Sequence, residues 1–325
     1  RNRSIKGFGD ISYTFLPKKF GSLSVRGGDN FAQLNNYESI QGTFSRSNFL
    51  QKLFYGVGGK FELTNGVMLR GNLDYATFRS IDKIELAPWS DRFFGELNIP
   101  KDFGGYQQLV ADFMLTIVPF QRYEMTQYEK KILGSDWPTF NIIYKKGIKP
   151  FGGSDVDYDF LELNMRQEIK LSTLGESKFE FYTGQFVNDK EIRIADNKFF
   201  RGSDRFFFSD PLRSFQYLGP TLNTTNAYFQ GHYLHQFNGA IMNKIPLIKK
   251  LKLTSLLGAG TLFLDDDNYR HTELYAGFAK TFRIRTQLFK FTAVYVSSEN
   301  SLTGFDGGVK VGIDFYNSFM NSWSY

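Results

Sequence analysis

The stretch Tyr158-Asp159-Phe160-Leu161-Glu162-Leu163-Asn164-Met165-Arg166-Gln167-Glu168-Ile169-Lys170-Leu171 alternates between apolar and polar over most of its length. On a strand, successive side chains point to opposite faces. Leu161, Leu163, Met165, Ile169 and Leu171 therefore share one face, and Phe160, Glu162, Asn164, Arg166, Glu168 and Lys170 share the other. The end of the chain repeats the pattern, with Val309, Val311, Ile313 and Phe315 against Lys310, Gly312, Asp314 and Tyr316. A half-buried soluble sheet reads this way, and so does a barrel with lipid outside and a polar lumen within.

Composition weighs toward the barrel. Aromatic residues make up 18% of the 325, including 36 Phe and 18 Tyr, while the mean hydropathy is slightly negative. A barrel turns such aromatics outward, to lipid and to girdles at the interfaces. No apolar run approaches the ~18 residues of a transmembrane helix. The chain has no cysteine, which excludes disulfides and thiolate metal sites. A net charge of +6 is spread among acidic residues and forms no basic run, so no nucleic-acid partner is expected.

Further strands are predicted near 5–15, 19–28, 38–47, 53–63, 66–80, 106–118, 139–148, 177–188, 225–238, 250–263, 272–284 and 287–298. The fold class is all-β, a transmembrane antiparallel β-barrel of about 16 strands, since such barrels usually hold an even number. Thr64-Asn65-Gly66 and Ser172–Ser177 are short turns and belong on the periplasmic side, with the long segments 81–104 and 189–224 outside. Segment 119–137 is either a periplasmic excursion or an extra strand. Residues 1–325 read as one barrel domain, and N-terminal periplasmic domains are expected beyond Arg1.

One loop stands out: Phe199-Phe200-Arg201-Gly202-Ser203-Asp204-Arg205-Phe206. An Arg offers a planar fork of donors that pairs with a carboxylate in a sheltered lumen, and Gly202 permits the turn that aims it. The alternative is an ordinary surface loop. His232 and His235, three apart, fall on opposite strand faces and do not share a metal. Asp265-Asp266-Asp267-Asn268 and the alternating Asp155, Asp157 and Asp159 lack the spacing of an EF-hand. No nucleophile elbow or phosphate loop is present, so no catalytic residue, metal or cofactor is expected.

The order of motifs carries a resemblance. Trp137-Pro138-Thr139 opens a strand, Gly153-Ser154-Asp155 forms a loop, and Phe200-Arg201-Gly202 follows. This order resembles the barrel of the outer-membrane assembly-factor and surface-antigen superfamily, which inserts or secretes proteins. Gly27-Gly28, Leu63-Thr64-Asn65-Gly66, Tyr144, Gly147-Ile148 and Asp157-Tyr158 add a closer likeness to a family of Bacteroidota outer-membrane barrels. Full-length members of that family join a carboxypeptidase-regulatory-like domain to such a barrel. The superfamily pins its loop Arg with an Asp two residues before a Gly on the strand after next. Gly260 matches that Gly, but Gly258 stands in the Asp position.

The resemblance implies an inward-folded loop built on Phe200, Arg201, Gly202 and Asp204. The acid for Arg201 is then expected to be Glu162 or Glu168, with Asp204 a further choice. It also implies an outer-membrane protein that assists assembly, insertion or export of envelope proteins, with no chemistry of its own. The rival readings are an accessory barrel subunit of an outer-membrane complex and a passive pore. Expected partners are outer-membrane lipid, lipopolysaccharide and other envelope proteins. Gly307, Gly308 and Gly312 weaken the last strand and are candidates for a gate at the seam, or they relieve crowding inside the barrel.

Overall fold

The structure is a computed structural model, and it describes residues 6–34, 49–81, 103–149, 151–219, 221–317 and 322–324. The chain divides into two compact units. The first comprises residues 1–35, 40–164 and 184–198, and the second residues 36–39, 165–183 and 199–325.

The first unit holds β1 (Gly7–Leu16), β2 (Gly21–Gln33), β3 (Phe49–Thr64), β4 (Val67–Arg79), β5 (Tyr106–Ile117), β6 (Arg122–Met125), β7 (Lys130–Gly134) and β8 (Thr139–Gly147). Strands β9 (Asp157–Lys170) and β10 (Glu176–Glu191) run through both units. A two-residue pair, β11 (Lys198–Phe199) and β12 (Asn223–Thr224), follows. The second unit then holds β13 (Tyr228–Phe237), β14 (Thr254–Leu264), β15 (Arg270–Ile284), β16 (Gln287–Asn300), β17 (Gly304–Asn317) and β18 (Ser322–Ser324). Fourteen strands form one sheet in the order β1-β2-β3-β4-β5-β8-β9-β10-β13-β14-β15-β16-β17-β18. The strand predicted near 38–47, and most of segment 81–104, lie outside the described residues.

The polarity of this sheet is inverted relative to a soluble protein. In β17, Val309 is 68% exposed, whereas its neighbour Lys310 is fully buried. In β15, Leu274 is 60% exposed beside buried Glu273. Leu161 and Leu163 of β9 are likewise exposed, while Phe160, Glu162 and Asn164 are buried. Beyond Asn164 both faces open as the strand runs out to its turn, so Arg166, Glu168 and Lys170 are exposed as well. Water would reverse this pattern; lipid outside and a polar interior produce it.

Segment 119–137 contains an extra hairpin, β6–β7. Lys130 Nζ reaches back to the Asn65-Gly66 turn, 2.6 Å from Glu62 Oε1 and 2.8 Å from Asn65 Oδ1. Gly66 has φ +79°, and a Cβ there would stand 2.3 Å from Val118 O. The turn is therefore tight because the chain behind it packs against its backbone.

At the two ends of the sheet, β1 pairs only with β2 and exposes all ten of its residues, and β18 pairs only with Phe315–Asn317 of β17. Among the described residues no ladder joins β1 to β17 or β18.

Candidate functional site

The Arg-Gly loop belongs to the second unit and folds onto its polar face. The loop first closes on itself. Phe215 N donates to Arg201 O at 2.9 Å, and Gly202 and Phe215 form a β-bridge. The Gln216 side chain, fully buried, donates to Ser209 O at 2.8 Å and to Ser214 O at 3.1 Å, and accepts from Ser203 Oγ at 3.2 Å. Asp204 Oδ1 takes the Phe206 amide at 2.8 Å and turns the chain. Phe200 is buried edge-on against Tyr228.

Strand residues then grip the folded loop. Glu273 accepts the Gln216 and Tyr217 amides at 2.6 Å each, and His271 Nε2 lies 2.8 Å from the same carboxylate. Phe215, fully buried, packs between His232 and His271. Lys310 Nζ donates to Ser203 Oγ at 2.9 Å and to Gln216 O. Phe208 enters a cluster of Leu234, Leu256, Tyr275, Ala279, Val294 and Val296. A carboxylate shared by two amides and an ammonium on a carbonyl are charge-assisted contacts, stronger than neutral ones.

Arg201 pairs with Asp210, nine residues on in the same loop, at 3.0 Å, an acid not among those expected. Burial draws the Arg201 guanidinium down from its ordinary range, and Asp210 opposes that pull. Glu162 holds Lys198 at 2.5 Å, and Glu168 lies 3.4 Å from Lys178. The reason is proximity: the bend at Asp210–Ser214 brings that carboxylate back to Arg201 within one loop. The empty acid position also has an occupant. A Cβ at Gly258 would lie 2.3 Å from Tyr275 Oη, which donates to Tyr233 O at 3.0 Å.

The glycines of β17 make room. A Cβ on Gly312 would stand 2.5 Å from Phe208 O, one on Gly308 2.8 Å from Tyr217 Oη, and one on Gly307 2.8 Å from Val296 O. Two of the three are thus fitted to the loop. Glu273, Gln216 and His271 were missed in the sequence, and Lys310 was read as a polar-face residue but not as a hold on the loop. Glu273 and Lys310 did carry a signal, since each is a charge flanked by apolar or small residues that alternate with it along the strand.

Other singled-out residues serve the frame. Asp155 accepts the Gln107 amide at 2.9 Å, Asp157 accepts from Asn188 at 3.0 Å, and Asp159 holds Lys146 at 2.8 Å. Asp266 accepts from Thr224 and Asn226. His235 bonds Ser177 Oγ at 2.7 Å, whereas His232 lies beside Gln230 and Phe215. In the first unit, Glu162, Lys198, Lys145, Tyr158 and Asp196 line a cavity of about 200 Å³. Burial there pushes the Asp196 carboxyl up to about 7, against the hydrogen bond from Tyr158 and the charges of Lys145, Lys52 and Arg193.

An antiparallel sheet with an apolar outside, a polar inside and a loop locked onto that inside defines a barrel-type protein. Over residues 1–278 the chain matches the C-terminal domain of DUF5686, a family of unknown function, and it belongs to that family. The sequence matches none of the curated proteins. Thirty-one solved chains are similar. One is BamA from Haemophilus ducreyi lacking POTRA domains 1–3, with a TM-score of 0.55 and 11% identity over 93% of this chain. The chain spans 60% of the length of that structure, and the likeness is one of fold.

Proposed function

We propose that this chain is an outer-membrane barrel that assists the assembly, insertion or export of envelope proteins and performs no chemistry of its own. The observation that carries the reading is the end of the sheet: among the described residues β1 exposes all ten of its residues and pairs with β2 alone. An open edge in lipid leaves backbone groups unsatisfied, and a client strand satisfies them by β-augmentation. The barrel likeness to BamA and the motif order shared with assembly factors support the same reading. Its partners are then outer-membrane lipid, lipopolysaccharide and client envelope proteins, and its full-length form carries the regulatory-like N-terminal domain of the Bacteroidota barrels.

Depletion in the native organism tests this. The expected result is a loss of folded outer-membrane proteins, read by their heat-modified mobility on gels. Normal folded levels after depletion overturn the proposal. The packed loop also argues against a passive pore, so steady single-channel conductance in planar bilayers would favour that rival.

A further inference from the structure

The run Phe206-Phe207-Phe208 lies along β17. Val311 N donates to Phe206 O at 3.0 Å, and Phe208 N donates to Val311 O at 2.8 Å. Phe207 and Val311 form a parallel β-bridge. The ladder to β16, where Val311 stands opposite Ala293, uses the other side of β17. Both groups of Val311 point the same way, so the loop is bound to the edge of β17 that faces away from β16. Nearer the C-terminus the same edge is covered by β18, which pairs with Phe315–Asn317.

The hold is shaped at one position. The Phe208 ring is buried in the cluster around Leu234 and Tyr275, and Gly312 leaves room for its carbonyl. Phe206 and Phe207 instead expose 72% and 42% of their surface. An edge that native proteins must protect is here closed by the protein's own loop.

The geometry points to the β17 edge at Val311 as a strand-accepting surface whose resident occupant is Phe206–Phe208. Its partner is an extended segment of another polypeptide that makes the same two backbone bonds and places an aromatic ring where Phe208 sits. Backbone pairing supplies the binding, and the ring pocket supplies the selection. The loop must leave before such a segment pairs, so the loop restrains the edge. That the segment comes from a client envelope protein rests on the proposed function; the occupancy of the edge does not.

The chain has no cysteine, so Phe207→Cys/Val311→Cys adds a unique thiol pair. Neighbouring strands lie about 4.8 Å apart, within disulfide reach. The full protein in native membranes, mildly oxidised, is expected to form this disulfide within one chain. The probe is a synthetic peptide of residues 203–210 with a photoreactive benzoylphenylalanine in place of Phe207. The reduced variant is expected to capture it saturably, the oxidised one to fall to background, and reductant to restore capture. Absence of the disulfide in folded protein, or equal capture in both states, overturns the inference. Cells carrying only the locked variant test the assembly reading separately. Normal folded outer-membrane proteins with capture lost would remove that reading and leave the edge assignment standing.

Discussion

Glu273 is 1% exposed, and both its oxygens are committed to the Gln216 and Tyr217 amides. Glu273→Gln keeps the shape but turns an NH2 group toward an amide donor. Loss of a charge-assisted buried contact is expected to cost about 1.5–3 kcal/mol, seen as a lower urea midpoint and faster amide exchange at 216–217. Glu168→Gln, at an exposed turn end, is expected to stay within about 0.5 kcal/mol. Asp196 makes a second prediction. Its folded pKa of about 7 lies above the ordinary 3.8. The neutral form is thus the one the fold prefers. Its stabilisation is complete below pH ~4, is lost as pH rises, and is gone above pH ~7. Amide exchange at 192–198 is expected to be faster at pH 8 than at pH 5 after correction for intrinsic rates. Asp196→Asn is expected to remove that difference, and an unchanged pH dependence in the variant would exclude Asp196 as its source.

At the scale of the element, β17 carries two glycines against one loop, and the two differ in what they face. A side chain at 312 meets the Phe208 carbonyl, which is backbone in a residue whose amide is bonded to Val311 O. A side chain at 308 meets only the tip of Tyr217, which swings away. Gly312→Ala is therefore expected to destabilise by about 1–3 kcal/mol, the usual cost of overpacking. Gly308→Ala is expected to cost clearly less, and Gly308→Ala with Tyr217→Phe less again. Denaturant midpoints in detergent measure this. Equal costs at the two positions would mean that the loop does not seat on β17 as described.

For the whole molecule, the sign of its polarity is testable at one position. Leu163 is in the middle of β9 and 43% exposed. In a water-soluble protein an exposed Leu→Arg change stays within about 0.5 kcal/mol. On the lipid face of a barrel near the midplane it costs about 2–4 kcal/mol. Leu163→Arg is expected to show the larger cost in unfolding from phospholipid vesicles, together with reduced insertion. A neutral result would place that face in water and end the membrane reading.

The strands were legible because their signal is local. Side-chain direction alternates with every residue, so 158–171 and 309–316 display both faces without reference to anything distant. The inward Arg-Gly loop was legible as a motif, but Asp210 and Glu273 as its partners were not. Asp210 reaches Arg201 only because the loop bends between them, and Glu273 meets Gln216 only because β15 takes a particular register. Gly258 read as a missing acid, whereas the sheet places Tyr275 directly opposite and fills the space with its hydroxyl. Which charge answers which depends on register and on loop packing, interactions between residues far apart in the chain. Strand, face and turn were therefore written in the amino-acid order itself. The pins of the loop and its seat on the edge of β17 were decided only when the sheet assembled.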